Sequence, residues 1–331
     1  MLGQQGVKGT PATPDIAIPY LDDGFSTNQQ GQGLKAGGDN EYLKENMKME
    51  HREAFSFSVN ARPDIVTYLN TYMLGTDTIS GTADPYTHTI TRNERNWLTM
   101  ERELSATAVQ RLVDCKFENM TITGEAGQPL KINIDGNALT ATMRTTAQTP
   151  SYDTEKPFMF YDGASRFKID TTNSSLIRGF EIKVNVNSGG GLRDDRFEIL
   201  DLPDFNYSVS CSLDIYTSDL TRFKKVNYNA STTPQADFST GAFEIDCQYV
   251  LTSTRQFKIT IPNLDWQSIG GVALNPGGAT MIESIAGVAV KLDTTELMTM
   301  VCKNSINEDG IQDNDLLFIA DSDGQTITGV Y

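Results

Sequence analysis

The clearest pattern along this chain is an alternation of apolar and polar side chains. In the second half it runs through residues 180–186, 207–215, 243–249 and 257–261. In the first half it appears at residues 55–59, 86–91, 97–104, 115–123 and 130–135. Strands with one dry and one wet face belong to antiparallel sheets, because parallel strands are usually buried on both faces. The pattern predicts a mainly β protein.

Two short helices are predicted between the strands. Pro63 suits a first helical turn, apolar residues recur at helical spacing from Ile65 to Met73, and Gly75 ends the stripe. Ser218 is a good N-cap for the second helix. The apolar stripe of that helix consists of Leu220, Phe223, and Val226 or Asn227.

The order of strand, short helix, strand, strand occurs twice, and this repetition predicts an internal duplication. The corresponding residues lie about 155 positions apart: Val59 with Ile215, Ile65 with Leu220, Tyr68 with Phe223, and Ile90 with Ile245. The fold class expected is therefore two β-sandwich or barrel domains, each with a flanking short helix. Two unrelated β domains remain the alternative.

A length of 331 residues also favours two domains. The first 50 residues are rich in Gly, Pro, Gln and Asn, and they predict an extended N-terminal arm or loop. The proposed organisation is an arm at 1–50, a first β domain at 51–145, a linker at 146–156, a second β domain at 157–305, and an acidic C-terminal segment at 306–331.

Charge and hydropathy exclude several classes of function. The chain has 43 acidic and 27 basic residues, a net charge of −16. Such a surface repels phosphate backbones, so we expect no sequence-independent binding of DNA or RNA. The simpler explanation of the negative charge is solubility. No apolar run is long enough to span a membrane, and the N-terminus lacks the apolar core of a signal peptide.

The four cysteines are widely spaced and form no C-x-x-C pair. They fall on or beside apolar positions of predicted strands, which favours buried free thiols and folding in a reducing compartment. They are Cys115, Cys211, Cys247 and Cys302.

Motifs that carry chemistry are missing from the sequence. It has no P-loop, no G-x-S-x-G and no H-E-x-x-H, and Gly31–Ala36 resembles a dinucleotide loop without the strand that must precede one. Of the two histidines, His51 and His88, we expect His88 to make a structural hydrogen bond. We predict no catalytic residue, cofactor site or metal site. Two hypotheses stay open: a hydrolase using a carboxylate pair, and calcium binding at 313–315 or 321–324.

Several segments together resemble the major tail tube proteins of long-tailed, siphovirus-type bacteriophages. The resemblance covers roughly residues 7–305, by the order of elements more than by identity. It is carried by Gly9–Pro14, Asp84–Ile90 with its Pro-Tyr-Thr-His-Thr strand, Leu98–Leu104, Asp114–Ile122 and Phe158–Gly163.

This resemblance implies a non-enzymatic structural protein of the virion tail, made in the host bacterial cytoplasm. Its strands would join those of neighbouring copies into a closed inner β-barrel, as homotrimeric or homohexameric rings stacked into a tube. The implied partners are further copies of the chain and the tape measure, terminator and distal tail proteins. DNA would pass through the lumen without specific binding. The alternative is another virion or surface β-sandwich module, such as a baseplate, adhesin or capsid decoration protein.

Overall fold

A computed structural model describes most of the chain. The described residues are 1–14, 16–34, 45–105, 107–146, 149, 151–152, 154–160, 167–174, 176–187, 200–217, 221–248, 254–270 and 281–307. They form a mainly β structure with two helices, as the sequence predicts.

The described residues of the first half form ten strands and one helix, in the following order. They are β1 (Leu2–Gln4), β2 (Ile16–Ala17), β3 (Tyr20–Leu34), β4 (Glu45–Asn60), α1 (Pro63–Leu74), β5 (Gly75–Ser80), β6 (Tyr86–Arg92), β7 (Leu98–Ser105), β8 (Ala108–Glu125), β9 (Lys131–Arg144) and β10 (Ser151–Tyr152).

The described residues of the second half form eight strands and one helix. They are β11 (Phe167–Ile169), β12 (Thr172–Asn173), β13 (Ile177–Val186), β14 (Tyr207–Thr217), α2 (Thr221–Tyr228), β15 (Ser239–Gln248), β16 (Gln256–Ile269), β17 (Met281–Ala289) and β18 (Thr299–Asn304). Neither described helix is long and apolar enough to cross a membrane.

One continuous run of antiparallel strands crosses both halves. Its spatial order is β3-β4-β9-β8 in the first half and β13-β14-β17-β16 in the second. The halves are joined where β13 pairs with the last part of β8. The other strands form smaller layers beside this run, including β7 on the first part of β8 and β15 on β16.

The buried face of the run carries the core, which is continuous through both halves. Helix α1 packs against it in the first half. Pro63 occupies its first turn, and Gly75 ends it with φ at 106°, a left-handed conformation that glycine adopts without a Cβ penalty. Helix α2 differs because none of its residues is buried, although Val226 packs against the core.

The two halves share the same pairing scheme. In the first half β3 pairs with β4, β4 with β9, β9 with β8, β8 with β7, and β7 with β1. In the second half β13 pairs with β14, β14 with β17, β17 with β16, β16 with β15, and β15 with β11. All of these pairings are antiparallel.

Three irregularities in register fall at matching places in the two schemes, while the shifts at Gln30/Gly31 and Glu103/Ser105 have no counterpart in the described ladders of the second half. The β3–β4 ladder shifts directly after Tyr20↔Val59, and the β13–β14 ladder shifts directly after Ile177↔Ile215. The β8–β9 ladder shifts after Phe117↔Gly136, and the β16–β17 ladder after Trp266↔Gly287. A third shared shift lies between Leu98 and Met100 in β7 and between Gly241 and Phe243 in β15. β-Bulges are specific features that tend to be kept within a fold family, so the two halves match in detail.

The structure corrects two expectations. Part of the arm predicted for residues 1–50 is built into the fold, because β1, β2 and β3 pair with other strands. The correspondence of Ile90 with Ile245 is also wrong, because Ile90 lies in β6, which pairs with β5 and β18. Met100 of β7 holds the place of Phe243 of β15.

Other predictions concern residues outside the described part of the chain or are only partly inside it. The C-terminal acidic segment lies outside it from residue 308 on, together with both calcium hypotheses. The predicted cap at Ser218 and the stripe residue Leu220 lie outside it as well. Residues 31–34 of the dinucleotide-like match belong to β3.

The packing of the core predicts that substitutions at buried sites lower the free energy of unfolding far more than substitutions at exposed sites. Phe117 is fully buried, and its ring makes edge contacts with Phe55, Phe57 and Tyr72. Phe117→Ala should lower the free energy of unfolding by about 3–5 kcal/mol, because it removes buried area and leaves a cavity. Met143→Ala, at a site 62% exposed, should change it by less than about 0.5 kcal/mol. Urea unfolding followed by fluorescence measures both, and equal midpoints would contradict this packing.

Candidate assembly surface

The wet face of the eight-stranded run is a continuous polar surface. One row of cross-strand partners crosses all eight strands from β3 to β16. It consists of Asp22, Ser58, Asn133, Thr121, Lys183, Ser210, Val288 and Asp265. Four of these eight side chains are small hydroxyls or amides, three are charged and one, Val288, is apolar.

Charge on this row and the neighbouring rows is mostly negative. The acids are Asp22, Glu125, Asp135, Glu181, Asp214 and Asp265, and the lysines are Lys131 and Lys183. Arg178, which is exposed, adds a third positive charge beside Glu125, Glu181 and Asp214. Lys183 Nζ lies 2.7 Å from Glu181 Oε1, so part of its charge is neutralised within the face. Partial burial raises the pKa of Asp135, but the surface as a whole presents hydroxyls and carboxylates.

The two ends of the run are open in the described part of the chain. β3 pairs with β4 along one edge, and no described strand pairs with its other edge. At the far end, β15 pairs with β16 only as far as Trp266. Residues 267–269 continue β16 with β17 on one side and no described strand on the other. Open edges present unpaired backbone N–H and C=O groups, which favour addition of another strand.

A buried ionic cluster holds the second half against the first, close to the β8–β13 joint. Asp204 lies between Arg95 Nη2 at 2.7 Å, Arg92 Nη2 at 2.8 Å and Lys116 Nζ at 3.3 Å. The Arg95 side chain is fully buried and also donates to the carbonyl of Phe117. Burial alone would raise the pKa of Asp204, but the hydrogen bonds and positive charges of these three side chains hold it well below its usual value.

A second contact of this kind involves Arg255 of the second half. Its guanidinium reaches Asp84 Oδ1 at 2.6 Å and Glu155 Oε1 at 2.8 Å. Glu155 belongs to the predicted linker, and its carbonyl also accepts a hydrogen bond from Arg62 at 2.6 Å. Glu155 of the predicted linker therefore contacts both halves, through Arg62 of the first and Arg255 of the second.

His88 makes structural hydrogen bonds, as the sequence analysis expects. Its Nδ1 lies 2.7 Å from Asp77 Oδ2, and its Nε2 lies 3.0 Å from the carbonyl of Ile306. Burial opposes protonation, but the bond to Asp77 leaves the pKa of His88 raised. Through these two contacts His88 of β6 links β5 to the segment that follows β18. The side chain of His51 lies outside the described part.

The cysteines are free and buried, as expected. Burial raises the pKa of the Cys115, Cys211 and Cys302 thiols, which keeps them protonated and unreactive. Among the described residues no group of three or more His, Cys, Asp or Glu side chains is placed to hold a metal ion.

A surface groove of about 360 Å³ lies beside the start of β3. Its lining includes Tyr20, Leu104 and Tyr152, which are more than half exposed, together with Glu101 and Arg102. Glu101 is paired with Arg111 and Arg144, each at 2.6 Å. The groove is partly apolar, and residues of β3, β4 and β7 line it.

Sequence reasoning missed the open edge of β3, the Asp204 cluster and the groove. Tyr20–Leu34 is rich in Gly, Gln and Asn, which are poor strand formers, so composition hid the strand. Phe25, opposite Phe55 in the β3–β4 ladder, is the residue that could have indicated it.

Comparison with known protein families gives one match. A model of the phage tail tube protein family matches residues 53–289, well over half of the chain. No curated protein matches the sequence.

The ionic cluster predicts a pH-dependent loss of stability. Because the pKa of Asp204 is depressed in the folded state, its stabilisation is present above the unfolded value near pH 4 and is lost as pH falls below it. Asp204→Asn should cost about 3–5 kcal/mol at pH 7, since it leaves buried Arg95 and Lys116 without their counter-charge. The deficit should shrink below about pH 4.

Urea midpoints of the wild type and Asp204→Asn at pH 7, 5, 4 and 3 measure this difference. Asp237→Asn, at an exposed site, is the matched control and should unfold like the wild type at every pH. A deficit that stays constant down to pH 3 would show that the Asp204 charge does not hold the halves together.

Proposed function

Because this chain belongs to the phage tail tube protein family, we propose that it assembles with copies of itself into rings that stack to form the tail tube of a long-tailed, siphovirus-type phage. The observation that carries the proposal is the eight-stranded run with a polar face and two open ends. Heterologous contacts between identical subunits form rings when their rotation closes, and ring closure removes open edges.

The register of the run suits a barrel. Asp22 and Gly179 follow the matching irregularities of β3 and β13, so they hold equivalent positions. The cross-strand row that starts at Asp22 meets β13 at Lys183, four residues beyond Gly179. The row is therefore displaced by four residues over four strands, or one residue per strand. An eight-stranded barrel with shear 8 has the same ratio of shear to strand number, and its strands tilt by about 36°.

Barrel size favours three chains in a ring. Strands lie about 4.8 Å apart, so three chains with eight strands each would form a backbone barrel roughly 45 Å across. Side chains on the inner face would leave a passage for a DNA duplex. Two matching halves per chain would give such a trimer approximate sixfold symmetry. Six chains per ring would double the diameter and make a far wider channel.

The polar face would line the lumen, since the core and α1 cover the other face. Its hydroxyl and acidic side chains would let DNA pass without binding, because like charges repel. The chain would then act without catalysis or cofactors, in the virion tail. Its partners there would be further copies and the tape measure, terminator and distal tail proteins.

The alternative is a different virion module, such as a baseplate, adhesin or capsid decoration protein. The groove bearing Tyr20, Leu104 and Tyr152 is the observation that favours it, because exposed aromatic and apolar side chains suit ligand binding. The two functions differ in assembly: the binding module would remain a small particle with an occupied groove.

Electron microscopy of the purified full-length chain at high concentration tests assembly. Negative-stain images should show rings and tubes, and class averages should show threefold or approximate sixfold rotational symmetry. Native mass spectrometry of isolated rings counts the chains, with three expected. A monodisperse monomer at every concentration would contradict the proposal.

The lumen assignment predicts a gain of DNA binding on charge reversal. Tubes of the double variant Asp135→Lys and Asp214→Lys should retain duplex DNA at low salt, because lysine releases counterions from phosphates. Binding should disappear as salt rises. Tubes carrying two exposed lysines elsewhere, at Asp237 and Asp293, match the net charge. Equal retention by both variants would contradict a lumen lined by the polar face.

A further inference from the structure

The joint between the two halves is an ordinary strand addition. β9 occupies one edge of β8 over nearly its whole length, and β7 occupies the first part of the other edge. β13 takes the remainder of that second edge, from Asn119 to Glu125. The pairs in this joint include Lys183 with Thr121 and Asn185 with Asn119.

The corresponding place on β16 has no described partner strand. Cys115 and Leu264 hold matching positions, since each is the last ladder residue before the shared irregularity with β7 or β15. Counting onward through the shared bulge, Asn119 matches Ser268 and Thr121 matches Gly270. β15 stops at Trp266 as β7 stops at Cys115, and the edge beyond is open among the described residues.

The open edge of β3 is the counterpart of the edge that β13 uses. From the ladder positions after the matching shifts, Ser26 corresponds to Lys183 and Asn28 corresponds to Asn185. β13 pairs with β8 through these positions. The eight-stranded run therefore contains one completed joint between β8 and β13. The two strand edges needed for a second joint of the same kind lie open at the ends of the run, on β3 and on the last residues of β16.

We infer that the two halves are copies of one structural unit and that the β8–β13 joint is repeated between chains, with β3 of one copy adding to the end of β16 of the next. The register is fixed by the internal joint: Ser26 lies opposite Gly270 of the neighbour, and Asn28 lies opposite Ser268. The inference rests on the proposed function for self-association and goes beyond it by assigning the strands and the register.

Local chemistry is compatible with this register. In the internal joint the Asn185 amide donates to Asn119 Oδ1, and Ser268, which holds the position of Asn119, also carries an oxygen that can accept a hydrogen bond. Ser26 and Gly270 are exposed. The backbone supplies the remaining hydrogen bonds, as it does in any strand addition.

Gly270 also allows a sharp test, because a Cβ there meets nothing closer than the Ser284 carbonyl at 3.5 Å. Directly opposed residues in an antiparallel pair have Cα atoms about 4.5–5.5 Å apart, within the range of a disulfide. The four native cysteines are buried and free, so they do not compete.

The experiment uses the full-length chain carrying Ser26→Cys and Gly270→Cys, assembled and then oxidised. Denaturing gels without reductant should show covalently linked oligomers of the chain. Gln30→Cys with Gly270→Cys is the matched control, because a shift of four residues moves the Cα about 13 Å, and cross-linking should fall about tenfold. Lys183→Cys with Thr121→Cys is the positive control within one chain.

The outcomes separate this inference from the proposed function. Tubes that form with strong cross-linking of the Ser26 pair support both. Tubes that form while the Gln30 pair links as well as the Ser26 pair, or while neither links and the positive control does, overturn the register and leave the function standing. Absence of any assembly by microscopy overturns both. A second pair, Asn28→Cys with Ser268→Cys, gives the same reading if the first variant does not fold.

Discussion

Backbone hydrogen bonding at strand edges is the constraint on which this structure depends. An open edge leaves N–H and C=O groups without protein partners, and proteins cover such edges or use them. Inside the chain the edge of β8 beyond β7 is satisfied by β13. At the two ends of the run the described chain provides no such partner for β3 or for the last residues of β16. Self-association is the solution that needs no other protein, and the family match agrees with it.

The two faces of the run divide the remaining work. The buried face holds a core that continues through both halves, and the ion pairs of Asp204 and of Arg255 link the two halves. The other face carries small polar and acidic side chains in register across all eight strands. A rigid unit with a prepared edge loses little conformational freedom on assembly, which favours a regular polymer over a loose aggregate.

Sequence patterns predicted what depends on local periodicity. Alternation located β4, β13, β14, β15 and β16, and Pro63 with Gly75 bounded α1. The predicted correspondence of Val59 with Ile215 agrees with the structure, because both residues lie directly before the first register shift of their ladders. Features set by contacts between distant residues could not be predicted from the sequence. β3 is polar and glycine-rich, and Asp204 acquires its role only beside Arg95 and Lys116. The constant offset of about 155 residues failed at Ile90 because β5 and β6 have no counterpart in the shared pairing scheme.

Amide hydrogen exchange of dispersed and assembled protein tests the central claim most directly, because it reports on the backbone groups at the edges themselves. Closure of the run between copies predicts that exchange slows on assembly around Ser26–Asn28 of β3 and at residues 267–270. Residues 53–59 of β4 and 210–215 of β14 already have a strand on both sides and should stay unchanged. Assembled particles in which the amides of β3 and the end of β16 exchange as fast as in the dispersed chain would contradict the account.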